Sequence, residues 1–175
     1  MTQQTKIKIK RYAIFTLIIL CAHLLQNSVM LFPEVLGIRP ILLISAAVCI
    51  AMFEGEVVGV IFGVIAGALW DTVTVTADGY NALYLAVACA ICGFLLRVFM
   101  RNNIITYIMI NTVVTGLYCI TYVLFFIAAR GIDGAGEIFA RYYFPMIIYS
   151  LLLTPLWYFI IRGVSKKFAN VYTEY

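Results

Sequence analysis

The chain has 175 residues, of which 65% are hydrophobic and only 11% are charged, and its mean hydropathy is +1.04. This composition excludes an ordinary water-soluble domain and predicts a polytopic membrane protein. The net charge of +4 indicates how the chain is oriented in the membrane, with some attraction to anionic lipid, and gives no reason to expect nucleic-acid binding.

Six apolar runs predict six transmembrane helices. In chain order they span residues 12–32, 40–53, 57–73, 82–96, 104–129 and 142–161. The second run is too short to cross a bilayer core of roughly 30 Å, because its residues rise only about 21 Å as a helix. Its helix is therefore expected to begin earlier, to thin the bilayer or to be buried among its neighbours.

The polar intervals between these runs are short. The longest is the glycine-containing stretch 130–141, which predicts a flexible loop. No small-x-small cleavage site follows the first apolar run, so the first span is expected to remain uncleaved. The sequence thus predicts one integral membrane domain over residues 1–175, an all-α bundle of six membrane helices.

The basic residues divide unevenly between the two sides of this bundle. An even number of spans puts both termini on one side, and the opposite side keeps Arg39, Arg130 and Arg141. Cytoplasmic loops carry an excess of lysine and arginine, so both termini are expected in the cytoplasm. The terminal side collects nine of the twelve basic residues: Lys6, Lys8, Lys10, Arg11, Arg97, Arg101, Arg162, Lys166 and Lys167.

The stretch GEVVGVIFGVIAGALWD in the third span repeats glycine at every fourth position. Gly55, Gly59, Gly63 and Gly67 form the row, and Asp71 stands on its next step. In a membrane, small residues let helices approach closely, so the row predicts a packing surface inside the bundle or a groove for a partner helix. Each step of four residues drifts by about 40° around the helix. The first two glycines are therefore expected to meet a different helix from the last two, with the third span central.

Asp71 is the most informative acidic residue. It lies near the outer interface, where burial of a carboxylate costs less than at mid-membrane. Arg39 and Asn81, which begin the second and fourth spans, are predicted at the same depth and are candidate partners. Asp78 is typical of a helix N-cap, and Gly79 allows the tight turn. A structural role in holding loops together is favoured for Asp71, with proton or cation binding as the alternative.

Three polar residues within the spans are candidates for lining a ligand cavity. His23 shares a face of the first span with Gln26 and Asn27, and Asn111 and Tyr118 share a face of the fifth. Polar residues inside a membrane often mark function. The favoured alternative is that they form interhelical hydrogen bonds, each contributing on the order of 1 kcal/mol.

The remaining reactive residue types indicate neither a metal site nor an active site. All five cysteines, including the pair Cys89 and Cys92, fall within predicted spans, where thiols pack as small side chains. A metal site would need further ligands, and the chain has one histidine. Catalysis would need a positioned imidazole or a second carboxylate beside a nucleophile. We expect a non-enzyme without a cofactor.

The order of motifs along the chain resembles the MreD family of rod shape-determining membrane proteins. The resemblance implies a scaffold subunit of the cell-elongation complex, which makes peptidoglycan, in the bacterial inner membrane. It implies MreC as the direct partner and, through MreC, the filament protein MreB, the glycosyltransferase RodA and a class B penicillin-binding protein. The motifs are RPILL (39–43), GVIFGVIAGALWD (59–71), GYNAL (79–83), LLRVFMRNN (95–103) and IIYSLLLTPLWYFIIR (147–162).

The same resemblance implies a fold similar to the substrate-capture subunits of energy-coupling-factor vitamin transporters. A small-molecule capture subunit is therefore the alternative function, with a cavity lined by His23, Asn111 or Tyr118. The short outer loops argue against it, because they leave little chain to close over a ligand.

Overall fold

The structure is a computed structural model that describes residues 3–28, 38–74, 79–99, 102–130 and 134–173. Within these ranges the secondary structure is helical, as predicted. The helices are α1 (Gln3–Asn27), α2 (Leu42–Glu54), α3 (Glu56–Asp71), α4 (Tyr80–Val98), α5 (Ile104–Phe126), α6 (Ala135–Ile138) and α7 (Phe144–Thr173).

Among the described residues, three helical stretches are long and apolar enough to cross a membrane. They are Tyr80–Val98, Ile104–Phe126 and Gly136–Phe168, while Leu42–Glu54 is apolar but shorter. The third stretch is continuous because a π-helical turn, Phe139–Tyr143, joins α6 to α7. The length and composition of the described helices are those of a membrane helical bundle.

The short helix α2 forms the centre of the bundle. Every residue from 42 to 52 is buried, and α2 contacts α1, α3, α4, α5 and α7. A helix that is apolar on all sides fits such a position, because it has no polar face to turn toward water. Of the three expectations for the short second span, burial among its neighbours is the one observed.

Helix α3 does not lie at the centre of the bundle, so the prediction of a central third span is wrong. Its side chains Val57, Ile61 and Val64 are 69%, 53% and 42% exposed, and they form a face that looks away from the bundle. Mean hydropathy could not separate the two helices, because a lipid-facing surface is as apolar as a core. What distinguishes α2 is that no side of it is exposed.

Several helices extend beyond or stop short of the predicted spans. α1 begins at Gln3 and ends at Asn27, and the last helix begins at Ala135, inside the stretch predicted as a loop, and continues to Thr173. Hydropathy marks only the apolar part of a helix, whereas lysine and arginine extend helices readily. Residues 29–37 and 75–78, which include the predicted cap Asp78, lie outside the described residues, as does Arg101.

The helices alternate in direction, so their termini gather at two ends. One end holds the last residue of α3, the first turn of α4 and the C-terminal parts of α1 and α5, and we call it the Asp71 end. The other holds the C-terminus of α2 together with basic parts of α1 and α7, and we call it the Glu54 end.

Candidate functional site

Two glycines of the row lie against the backbone of α4. A Cβ atom at Gly63 would lie 2.7 Å from the carbonyl oxygen of Leu85, and a Cβ atom at Gly67 would overlap the backbone of Ala82. Both distances are too short for any side chain, so only glycine permits this approach. This face of α3 is covered by α4 and is not open to a partner helix.

The other two glycines differ from each other. A Cβ atom at Gly59 would lie 2.5 Å from the Cβ atom of Ala51 in α2, so the predicted change of neighbour along the row is seen here. Gly55 lies before the first residue of α3, and its carbonyl carbon would lie 2.9 Å from a Cβ atom added at Gly93 of α4. It forms the one-residue connection between α2 and α3 with φ of +86°, and no described atom lies within 4 Å of its ideal Cβ position. Its role is the turn, which favours glycine.

Asp71 holds the start of α4. Its Oδ1 accepts a hydrogen bond from the backbone N–H of Asn81 at 3.1 Å, and its Oδ2 accepts one from Ala82 at 3.0 Å. The first N–H groups of a helix have no partner within it, and a carboxylate also interacts favourably with the helix dipole there. Asp71 thus caps α4 from the preceding helix, a role that the sequence analysis assigned to Asp78.

The side chain of Asn81 extends this junction to α5. Its Nδ2 donates to the hydroxyl of Thr74 at 3.2 Å, and its Oδ1 accepts from the hydroxyl of Tyr118 at 2.8 Å. Arg39 does not join the carboxylate. Its guanidinium donates to the backbone carbonyl of Asn27 at 3.4 Å.

An aromatic-walled cavity lies beside the junction. It has a volume of 290 Å³, and Trp70 stacks on Tyr118 in its wall with ring centroids 5.0 Å apart. We call it the Arg39 cavity. An adjoining space of 430 Å³, which we call the Tyr142 cavity, shares Arg39, Tyr143 and Met146 with it. Besides the two stacked rings, the Arg39 cavity is lined by Gln26, Asn27, Arg39, Pro40, Ile41, Thr74, Tyr122, Tyr143 and Met146.

The three candidate cavity residues lie in three different environments. Tyr118 lines the Arg39 cavity. Asn111 is fully buried, and its Nδ2 donates to Ser45 of α2 at 3.0 Å and to Thr154 of α7 at 2.8 Å. The Nδ1 atom of His23 lies 3.2 Å from the side-chain amide of Asn27. Asn111 thus joins three helices by hydrogen bonds. Interhelical hydrogen bonding was the favoured alternative to a cavity-lining role for this residue.

The Glu54 end carries an ion pair that the sequence analysis missed. The guanidinium of Arg11 in α1 pairs with Glu54, whose side chain is only 5% exposed, and Ser165 of α7 donates to the same carboxylate oxygen at 3.3 Å. Burial raises the pKa of the Glu54 carboxyl, and Arg11 opposes that rise. A second pair, Arg97 with Glu56 at 2.5 Å, is more exposed. The signal available in the sequence was two acids flanking Gly55 on the basic side.

A groove between α4 and α5 was also missed. It has a volume of 460 Å³, and its walls are almost entirely apolar. At its floor the hydroxyl of Tyr84 donates to the carbonyl of Val114 at 2.6 Å. We call it the α4–α5 groove. The signal was two stripes at a spacing of four residues, which follow one face of each helix: Val87, Ile91 and Leu95 on α4, and Met109, Val113 and Leu117 on α5.

The described residues offer few side chains that could together bind a metal ion. No three His, Cys, Asp or Glu side chains come together among these residues. Both oxygens of Asp71 are engaged by backbone N–H groups. The chemistry that the described residues offer is apolar packing in the α4–α5 groove and a polar, aromatic cavity at the Asp71 end.

Comparison with known proteins gives one match. A family model described as rod shape-determining protein MreD matches residues 6–168, from the basic start of α1 into the last helix. Neither a curated protein nor a solved structure matches the chain.

Proposed function

The chain belongs to the MreD family of rod shape-determining proteins, and from this premise we propose that it is a non-catalytic scaffold that docks the membrane helix of MreC. Its role in rod shape determination follows from the family, and its helices make it a membrane protein. MreC would connect it to MreB, RodA and a class B penicillin-binding protein in the cell-elongation complex.

The α4–α5 groove is the observation that supports docking. Val87 and Ile91 of α4 and Met109 and Val113 of α5 are all more than half exposed, and together they form two apolar walls. Helices associate in lipid through close van der Waals packing, because lipid already satisfies their hydrophobicity. A groove between two membrane helices offers a third helix more contact than a single convex face does.

Tryptophan substitution in the groove tests this proposal. We expect Val113→Trp to fill the groove and to reduce co-purification of MreC by about tenfold, which corresponds to a loss of about 1.4 kcal/mol of binding free energy, while the variant accumulates normally in the membrane. Leu152→Trp is the matched control, because Leu152 is 73% exposed on α7 and does not line the groove. Equal recovery of MreC with both variants would remove the groove from the proposal. Loss with Leu152→Trp alone would move the docking face to α7.

The proposal includes a topology. Six spans in a single membrane domain, with the Glu54 end and both termini in the cytoplasm of a bacterial inner membrane, agree with the excess of basic residues on the terminal side. Helices α1, α2 and α3 would then be spans in addition to the three long apolar stretches. α2 would be sheltered from lipid by its neighbours.

A small-molecule capture subunit, with the fold of the energy-coupling-factor subunits, is the second candidate. The Arg39 cavity favours it, although only Tyr118 of the three expected residues lines the cavities described here. Native mass spectrometry of the purified protein separates the two functions. A stoichiometric vitamin-sized molecule would support capture, whereas co-purified MreC without such a molecule would support the scaffold.

A further inference from the structure

We propose that Tyr84 and Tyr80 of α4 act as spacers that hold α4 and α5 apart, so that the α4–α5 groove has its width before any helix enters it. The spacing is a property of this chain alone. Its purpose, a preformed docking site for the membrane helix of MreC, rests on the proposed function. A preformed groove lowers the cost of binding, because its two walls need not be separated first.

The two tyrosine rings lie between α4 and α5. The Tyr84 ring packs edge-on against Tyr118 of α5, and the Tyr80 ring packs edge-on against Phe126 of α5, each with ring centroids 5.2 Å apart. Tyr80 and Tyr84 also stack on each other, with centroids 6.2 Å apart. The rings therefore form one aromatic layer between the two helices, and neither helix can approach the other without displacing this layer.

Hydroxyl groups fix the far edges of these rings on α5. Tyr84 donates to the backbone carbonyl of Val114 at 2.6 Å, and the hydroxyl oxygens of Tyr80 and Thr121 lie 2.7 Å apart. A backbone carbonyl has two lone pairs, so Val114 can accept this bond in addition to one within its own helix. A rigid ring that belongs to α4 and is bonded to the backbone of α5 sets a minimum separation between the two helices.

The next two turns of α4 would permit a closer approach. Ala88 and Cys92 follow Tyr84 at steps of four residues, so they lie on the same face of α4. Both are small, and both line the groove together with Ile110 and Val114 of α5. Small residues normally let membrane helices pack closely. Here they border a space of 460 Å³ instead, and a spacer one turn away explains why.

The distance between α4 and α5 tests the spacing without MreC. Spin labels at Leu83→Cys on α4 and Ile120→Cys on α5 would report it, because both positions are exposed and neither lines the groove. A Cys21→Ser background removes an exposed native thiol. Pulsed electron paramagnetic resonance on the purified protein should show a mean distance about 2 Å shorter in Tyr84→Leu, since the separation of packed helices varies by about that much with the side chains between them.

Three further variants give this measurement its controls. Tyr84→Phe keeps the ring and should keep the distance. Tyr142→Leu is the matched control, because Tyr142 is 50% exposed and does not line the groove. Tyr80→Leu should also shorten the distance, and it remains informative if Tyr84→Leu fails to accumulate. An unchanged distance in whichever of these two leucine variants accumulates would overturn the proposal, as would an equal shortening in Tyr142→Leu.

Co-purification of MreC separates this proposal from the proposed function. We expect Tyr84→Leu to lower the recovery of MreC about tenfold, which corresponds to about 1.4 kcal/mol, and Tyr84→Phe to leave it unchanged. A shorter distance with full recovery of MreC would support the spacers and would refute docking in the groove. Loss of MreC with an unchanged distance would overturn the spacers and leave docking in the groove standing.

Discussion

At the scale of single residues, the α3–α4 contact depends on the absence of one carbon atom. We predict that Gly67→Ala lowers the melting temperature by roughly 2–10 °C. Overpacking costs about 1–3 kcal/mol of stability, and in a protein of this size each kcal/mol lowers the melting temperature by about 2–4 °C. The backbone of Asn81 and Ala82 would have to move away. Thermal unfolding in detergent measures the effect.

Gly116→Ala is the matched control for that substitution. Gly116 lies within α5, and no described atom is within 4 Å of its ideal Cβ position. The added methyl group meets open space there, so the melting temperature should be unchanged or slightly higher. If both variants unfold at the same temperature, the close approach of α3 and α4 does not matter for stability.

The cap on α4 makes a second prediction at this scale. Asp71→Asn replaces one acceptor oxygen by an NH₂ group that would face a backbone N–H of α4. We expect a loss of about 1–3 kcal/mol of stability, the usual cost of an unsatisfied buried group. Glu137→Gln, at an exposed acid of the same end, should have no effect. Equal melting temperatures for Asp71→Asn and the unchanged protein would contradict the capping role.

At the scale of elements, the pair Arg11–Glu54 connects α1 and α2, and Ser165 adds α7. Removing one partner of a buried pair leaves an uncompensated charge, and for a fully buried pair the cost is about 3–5 kcal/mol. Arg11 is partly exposed, so we expect Arg11→Gln to cost less than this. The double variant with Glu54→Gln should recover most of the loss.

The pH dependence of that variant has a definite sign. Burial already raises the pKa of Glu54, and loss of Arg11 removes the opposing influence. A carboxyl whose folded pKa lies above its unfolded value favours folding at low pH, and this contribution is lost as pH rises through the folded pKa. Arg11→Gln should therefore be more destabilising at pH 8 than at pH 5. Melting curves at both pH values check it, and the double variant should show no such difference.

The sequence predicted helix packing where a residue type has few other roles in a membrane helix. The row Gly59, Gly63 and Gly67 indicated close packing because few other reasons exist for three glycines on one helical face. Gly55 continues the same row but lies in the connection between α2 and α3. Spacing alone cannot reveal where a helix begins, so the role of the first glycine in the row was the hardest to predict.

The sequence could not predict which distant segments of the chain contact each other. Arg11 and Glu54 are 43 positions apart, and Ser165 is a further 111 positions along the chain. Hydropathy assigned each to the end of a predicted span but could not say which ends touch. The α4–α5 groove likewise depends on how far two helices diverge, which their individual stripes do not determine.

At the scale of the whole molecule, the orientation can be measured directly. We predict that a membrane-impermeant thiol reagent added to intact cells labels Gly136→Cys and leaves Lys8→Cys unlabelled, because nine of twelve basic residues lie on the terminal side. Both positions are exposed in the structure. The unchanged chain controls for its own cysteines, four of which are buried. If only Lys8→Cys is labelled, the orientation of the bundle in the membrane is the reverse of the predicted one.

The burial of α2 has a consequence for how the protein is made. A helix of 13 residues rises only about 20 Å, so it cannot rest alone in a bilayer without a mismatch of about 10 Å. α3 follows after the single residue Gly55. The two helices should therefore leave the translocon together as a hairpin, with α2 sheltered by α3 until the later helices are synthesised. If translation stalls just after α2, we therefore expect that α2 is not yet stably inserted in the lipid bilayer.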